Sequence, residues 1–125
     1  MAPPNKPVVG ELYSLREQYE MHGGNMQRCA PDKDGRVLLL RVKPDLNPDA
    51  PGIIDWEAPN DPWVKTIQEQ TQQKPLPVYV RRRPNEWEHM GQFCVARVAT
   101  DGPTLAERRE RTGLQVSYAI HLERS

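Results

Sequence analysis

Few of the residues by which secreted, membrane-spanning or metal-binding proteins are recognised occur in this sequence. Its two cysteines, Cys29 and Cys94, have no CxxC spacing and no neighbouring pair of histidines, so neither a zinc site nor a secreted disulfide framework is indicated. No apolar run approaches the length needed to cross a bilayer, and the first residues include no apolar signal segment. We therefore expect no membrane partner and an intracellular location, either cytoplasmic or, in a eukaryote, nuclear.

Catalytic signatures are missing as well. The sequence contains no phosphate-binding glycine loop, no GxSxG and no HExxH, and its histidines are scattered. The carboxylates of Asp55, Glu57 and Asp61 are close enough in sequence to form a magnesium cluster, but no lysine stands at the spacing of a nuclease site. We expect a protein that is not an enzyme, with no catalytic residue, metal or cofactor. Metal-dependent hydrolysis by these three carboxylates is kept as an alternative.

Neither sign of charge is in excess. The chain has 17 basic and 17 acidic side chains, so any attraction to a polyanion must come from local charge separation. Such separation exists, because residues 44–63 include five carboxylates and no Lys or Arg, while arginines cluster later, at 81–83 and within 108–111. The acidic, proline-rich segment Pro44–Asn60 is a candidate contact surface for a protein partner.

Hydrophobic periodicity predicts an α+β fold with two or three short helices and four or five strands. Helices are expected at Glu11–Met21, from Asp61 and Pro62, and from Thr104 to a stop at Gly113. Strands are expected at Arg36–Val42, from Leu76 to the arginines at 81–83, at Gln92–Ala99 and at Leu114–Glu123.

These elements predict a curled, mostly antiparallel sheet or a partly open barrel. The connection Pro44–Trp63 shows no periodicity and is expected to be a long loop. One domain is expected over residues 10–125, behind a flexible, proline-rich leader of residues 1–9.

The main functional signal is a predicted hairpin that carries three consecutive arginines and a tryptophan. Alternate side chains of Arg81, Arg82 and Arg83 face opposite sides of the strand, so at least one of them can reach a phosphate and hold it bidentately. Trp87, Trp56 and Tyr79 are candidates for stacking on a base. The structural alternatives are an edge strand protected by charge and aromatic side chains that anchor the core.

A second candidate is the polar loop that follows the first predicted helix. It begins at His22 and ends with the cation of Arg28, and backbone amides beside Gly23 and Gly24 can approach a base or a phosphate closely. These four residues join the arginines as candidate nucleic-acid contacts. The alternative is that the two glycines only end the helix.

The order of these pieces also carries a family resemblance. An arginine-bearing helix and the Gly-Gly loop precede an apolar strand; the later motifs are Pro77–Arg81, Trp87–Val95 with its Trp-x-x-x-Gly-x-Phe pattern, and Tyr118–Leu122. This order resembles SET- and RING-associated (SRA-like) domains of the PUA-like superfamily, and in particular the modules attached to modification-dependent HNH restriction endonucleases. The Tyr-Asp-Gly segment of such modules is absent, and residues 52–61 stand in its place.

The resemblance implies a non-catalytic reader of modified duplex DNA that flips a base, such as 5-methylcytosine, into a pocket. The Gly-Gly loop, the strand from Tyr79 to Arg83 and the Trp87 turn would then form the site. The alternative is a protein-interaction or structural module with no nucleic-acid role.

Overall fold

A computed structural model describes residues 6–125, and within them the chain forms three helices and a strongly curled mixed sheet that makes a half-barrel. The helices are α1 (Leu15–His22), α2 (Pro62–Thr71) and α3 (Gly102–Thr112). The strands are β1 (Leu12–Tyr13), β2 (Asp32–Lys33), β3 (Arg36–Val37), β4 (Leu40–Val42), β5 (Ile53–Trp56), β6 (Leu76–Arg83), β7 (Glu86–Ala99) and β8 (Tyr118–Arg124). The predicted α+β class with a curled sheet is confirmed. Of the predicted leader, residues 1–5 lie outside the described residues.

The larger sheet has the strand order β4-β6-β7-β8-β5, and β1 pairs with β7 beside this path. Only the β4–β6 pair among these neighbours is parallel within residues 6–125. Register shifts interrupt the pairing of β7 with both β6 and β8. Because such irregularities bend a strand and increase its twist, they account for much of the curl. β2 and β3 form a separate two-stranded sheet.

The curl brings the two edge strands, β4 and β5, to the walls of one cavity. An edge strand leaves backbone groups unpaired, and these need other partners when they are buried. The Arg41 amide of β4 donates to the Cys29 carbonyl at 2.8 Å, and the Asp55 amide of β5 donates to the Asn47 side chain at 2.7 Å. The seam of the half-barrel therefore stays open between the two edges.

The first helix starts later than predicted. The Ser14 hydroxyl accepts from the Glu17 amide and the Glu17 carboxylate accepts from the Ser14 amide, so this capping box begins the helix at Leu15. Leu12 and Tyr13 form a strand instead of the first helical turn. The apolar spacing of Leu12, Leu15 and Tyr19 does not produce one buried helix face, because Tyr19 is exposed and the buried residue of α1 is Gln18.

The other two helices follow their local signals closely. Asp61 caps α2, with Pro62 in the first turn, as predicted. For α3 the predicted cap, Thr104, is wrong. Asp101 is the cap, because its carboxylate accepts from the Thr104 amide at 3.0 Å, and the helix begins at Gly102 instead of Leu105. Gly113 ends α3 as predicted.

Three segments depart from the strand prediction. The apolar run Arg36–Val42 divides into β3 and β4, which belong to different sheets. The segment Pro44–Trp63, expected to be a loop, contains β5, which pairs antiparallel with β8. β8 begins at Tyr118 rather than at Leu114.

No helix in the described part of the chain has both the length and the hydrophobicity to cross a membrane.

The interior has two parts. The main hydrophobic cluster lies between α2 and the sheet and includes Ile67, Val78 and Ile120. A smaller cluster is formed by Tyr13, Leu39, Tyr79 and Trp87, with Leu15 and Met21 of the α1 region packed against it. The smaller cluster therefore joins β6 and β7 of the sheet to the α1 region.

Candidate functional site

The open seam of the half-barrel encloses a cavity of about 680 Å³. Its walls come from the Met26–Ala30 loop, β4, the segment leading into β5, β5 itself and the start of α2. This volume falls within the roughly 300–1,000 Å³ of typical small-molecule pockets. Three tryptophans, Trp56, Trp63 and Trp87, and three basic residues, Arg28, Arg41 and Lys43, are among the lining residues.

Arg41 is the most unusual side chain of this wall. It is only 3% exposed, and its guanidinium donates to the Gln18 side-chain oxygen at 3.1 Å and to the Asn25 carbonyl at 3.1 Å. Its Nη2 is buried and has no hydrogen-bond partner, and Arg41 forms no ion pair within residues 6–125. Burial lowers the pKa of this guanidinium from its ordinary value. A buried cation without a carboxylate favours a ligand that brings acceptor oxygens or nitrogens.

Two indoles flank the same cavity and are only half-buried. Trp56 ends β5, and its Nε1 donates to the Asp61 carboxylate at 2.9 Å, which orients the ring. Trp63 lies in the first turn of α2, with the Arg28 guanidinium 5.8 Å from its ring centroid. Arg28 also donates to Asp32 at 2.6 Å. The predicted residues Trp56 and Arg28 are thus on one wall, together with Trp63.

The carboxylates of the cavity wall are largely committed to other partners. Asp55 accepts two hydrogen bonds from Arg108, at 2.7 and 2.8 Å, and its side chain is fully buried. Asp61 caps α2 and holds Trp56. No group of three metal-ligating side chains occurs in the described residues. The alternative of a magnesium site at Asp55, Glu57 and Asp61 therefore loses two of its three ligands, because a carboxylate held by a guanidinium or a helix cap is not free to bind a cation.

The triple arginine lies at the end of the β6–β7 hairpin, where it was predicted, but its charges are partly offset. Arg82 donates to Glu88 at 2.8 Å, and Arg83 forms an ion pair with Glu86 at 3.2 Å. Arg81 is half-buried and is the cross-strand partner of Trp87. Arg81, Arg82 and Arg83 are not among the residues that line the cavity.

The proposed stacking role of Trp87 and Tyr79 needs correction. Trp87 is 5% exposed and Tyr79 is fully buried, and both belong to the smaller hydrophobic cluster. The Tyr79 ring also packs edge-on against Tyr13, with 6.2 Å between centroids. A ring enclosed on both faces by protein offers no surface to a base. Trp87 is still among the residues that line the cavity, and Trp56 is the one of the three predicted rings that stays half-exposed there.

The predicted role of His22 and the two glycines also needs correction. The Tyr79 hydroxyl is 2.6 Å from His22 Nε2, and burial, reinforced by His89 and Arg41, lowers the pKa of His22 to about 4. His22 is therefore neutral near pH 7 and adds no cation. The Gly23 amide donates to the Tyr19 carbonyl at 2.7 Å and ends α1. A Cβ on Gly24 would meet Leu38 at 2.9 Å, so close packing occupies this position. Neither glycine lines the cavity.

The segment Pro44–Asn60 is not a free acidic arm. Asp49 accepts from both Arg108 and Arg111, and these guanidinium groups, Arg111 first, lower the pKa of Asp49 to about 2. The segment is anchored to α3 and β8, which leaves less negative charge for a protein partner. Leu46 remains exposed.

Arg41, Trp63 and Lys43 line the cavity and were not predicted as site residues. A signal for Arg41 was present, because a single arginine interrupts an otherwise apolar strand. Trp63 has the spacing of a core residue on a helix stripe, and it does pack against the main cluster as well. No protein-family model, curated protein or solved structure matches the chain.

Proposed function

We propose that this domain is a non-catalytic reader of modified duplex DNA, which holds one extruded base in the cavity at the seam of the half-barrel. The observation that carries this proposal is a buried guanidinium, Arg41, with an unpartnered Nη2, on the wall of a cavity that also bears the half-buried indole of Trp56. Modified cytosine is the first candidate base, and an intracellular compartment is where such DNA occurs.

The chemistry of the wall suits a flat ligand with acceptor atoms on its edge. Stacking on an aromatic ring is worth about 1–3 kcal/mol per base. A cytosine carries a ring nitrogen and a carbonyl oxygen that accept hydrogen bonds, and the unpartnered Nη2 of Arg41 has two hydrogens to donate to acceptors of this kind. Extrusion of a base costs a few kcal/mol, which these two contacts together offset.

The charges around the hairpin suit a phosphate backbone. The ion pairs of Arg82 and Arg83 are exposed, and such pairs contribute only about 0–1 kcal/mol, so a phosphate can replace the glutamate at little cost. Lys43 lies at the cavity itself and has no ion pair within residues 6–125. These residues are the candidates for the electrostatic part of binding.

The test is a titration of duplexes that differ by one modified cytosine, across a range of salt concentrations. We expect tighter binding of one modified duplex and a log–log salt slope near −0.9 times the number of phosphates contacted. A 2-aminopurine next to the modified base should gain fluorescence when the stack opens. Binding that is insensitive to both salt and modification, with no fluorescence gain, would overturn the proposal.

Two pairs of variants separate base reading from backbone contact. Arg41→Met should abolish the preference for the modified duplex, whereas Arg41→Lys should keep some affinity, because it retains the charge but not the directed Nη2 donor. Arg82→Glu should weaken the binding of modified and unmodified duplexes equally and leave the thermal unfolding temperature nearly unchanged. Arg97→Glu, on the exposed part of β7, is its matched control. If Arg82→Glu unfolds the domain or has no more effect than Arg97→Glu, the hairpin does not contact DNA.

The alternative, a protein-interaction module, has a test of its own. Capture of a protein partner that depends on Pro44–Asn60, by a domain that binds no duplex, would favour it. The exposed Leu46 is the side chain to change in that experiment.

A further inference from the structure

A second cleft, of about 970 Å³, lies on a different part of the surface and shares no lining residue with the cavity at the seam. Its lining includes Lys33 and Arg36 of the β2–β3 hairpin, Lys74 after α2, and His22 and His89. We propose that this cleft binds a phosphate group. The proposal does not depend on the base-reading function and stands if the seam cavity takes no base.

The charge balance of this cleft is strongly positive. Lys33, Arg36 and Lys74 are exposed, and none of them forms an ion pair within residues 6–125. Residues 1–5 contain no Asp or Glu that would neutralise them. Asp34 is the single acidic residue of the lining. Lys6 also lines the cleft, so that in a protein with no net charge four cations face one carboxylate.

The backbone holds these cations in a defined arrangement. Lys33 and Arg36 are cross-strand partners at the turn of their hairpin. The Gln70 side chain donates to the Val37 carbonyl at 2.6 Å and accepts from the Val37 amide at 2.9 Å. This double hydrogen bond ties the strand that carries Arg36 to the end of α2 that precedes Lys74. The three cations are therefore positioned by two elements that are joined to each other.

A buried imidazole adds a directional contact. His89 is 1% exposed, it lines the cleft, and its Nδ1 is buried with no hydrogen-bond partner. A buried polar atom without a partner is unfavourable, and a ligand that supplies one removes this cost. Burial and the nearby Arg124 lower the pKa of His89. In the tautomer that carries its proton on Nδ1, the ring can donate one hydrogen bond to a ligand in the cleft. A phosphate oxygen among lysine and arginine side chains is an acceptor of the required kind.

The experiment follows the imidazole ¹⁵N resonances and backbone amides of the wild-type domain as ligand is added. Three probes are compared: inorganic phosphate, a nucleoside 5′-monophosphate and an abasic oligonucleotide that presents only phosphodiesters. We expect the resonances of His89 and of the Lys33–Arg36 turn to move together. Saturation by the nucleoside monophosphate but not by the abasic chain would identify a nucleotide site, and saturation by the abasic chain would identify a strand-binding site. If no probe moves His89, the proposal is wrong.

A charge-neutralised variant provides the second measurement. Arg36→Gln with Lys74→Gln should weaken binding of the best probe about 10-fold or more, because two charge-assisted contacts are lost. Lys65→Gln with Arg97→Gln removes the same charge outside the cleft and should change affinity by no more than about two-fold. Equal losses in the two variants would reduce the effect to general electrostatics and overturn the site.

The two proposals fail independently. Trp56→Ala should leave phosphate binding at the second cleft unchanged. Arg36→Gln with Lys74→Gln should leave the ratio of affinities for modified and unmodified duplexes unchanged, even where both affinities fall.

Discussion

Arg108 of α3 donates two hydrogen bonds, of 2.7 and 2.8 Å, to the carboxylate of Asp55 on β5. Both residues are buried, with 5% and 6% of their surface exposed, and Arg108 also donates to Asp49 at 2.7 Å. The hydrogen bonds that Arg108 donates to Asp55, and then to Asp49, raise the pKa of Arg108 above its ordinary value. This pair fastens a sheet edge, and with it one wall of the seam cavity, to a helix more than fifty residues away in the chain.

Asp55→Ala should be among the most destabilising single changes in this protein. It leaves the Arg108 guanidinium buried with only Asp49 as a partner, and breaking a buried pair from one side costs about 3–5 kcal/mol. The free energy of unfolding in urea measures the loss. Asp55→Leu combined with Arg108→Met should recover most of it, because no charge is then left buried. If the double variant is as unstable as the single one, the pair does not act through charge.

Trp87→Ala should mainly lower stability, whereas Trp56→Ala should mainly weaken DNA binding. Trp87 belongs to a closed cluster, so its removal should cost about 3–5 kcal/mol in unfolding free energy. Trp56 is half-buried, so its loss should cost about 1–2 kcal/mol but weaken binding of the preferred duplex about 10-fold, through lost stacking. Urea denaturation and fluorescence anisotropy check the two quantities. A Trp56→Ala protein that binds normally would exclude this ring as the stacking partner.

The stability of the domain should decrease as the pH is lowered from 6.5 to about 4. The cause is His22, because folding lowers its pKa from 6.5 to about 4. In this window the unfolded chain binds the proton and the folded protein does not, so acid favours unfolding by up to about 1.4 kcal/mol per pH unit. The stabilisation is complete above pH 6.5 and is lost as the pH decreases. His22→Gln should flatten the slope of unfolding free energy against pH. An unchanged slope would show that other groups carry the titration.

Gly24→Ala should destabilise the domain more than Gly35→Ala. Both glycines have positive φ, of 79° and 78°, so both substitutions strain the backbone by about 1–2 kcal/mol. A Cβ at Gly24 would also meet Leu38 at 2.9 Å and Pro31 at 3.0 Å, whereas nothing lies within 4 Å of one at Gly35. We expect a total of about 2–4 kcal/mol for Gly24→Ala. Thermal unfolding of the two variants measures this difference, which is the contribution of packing. Equal losses of stability in the two variants would contradict a packing role for Gly24.

Much of the architecture was predictable because it depends on signals within a few residues. The hairpin of β6 and β7 follows from alternation on both sides of a short turn, and Asp61 with Pro62 marks the start of α2. The start of α1 was misplaced because the capping box of Ser14 and Glu17 outweighs the apolar spacing of Leu12.

The candidate site was less predictable, because the sequence pattern around a tryptophan does not show whether the ring is enclosed in the core or lines a cavity. Trp87, for which stacking on a base and anchoring the core were both open, is enclosed in a hydrophobic cluster. Trp63 packs against the main cluster as its helix stripe predicts, but it is also half-exposed on the cavity wall. β5 escaped prediction because only its pairing with β8 makes the proline-rich segment a strand.

By itself, the sequence determined the helices, the hairpin and the curled antiparallel character of the sheet, since capping, alternation and turn chemistry act over short distances. Only the tertiary structure decided that β4 and β5 face each other across an open seam, that Arg41 is buried there without a carboxylate, and that Asp55 is held by Arg108. These relationships join residues far apart in the chain, and they arise from the way in which the sheet bends and from which partners burial leaves within reach.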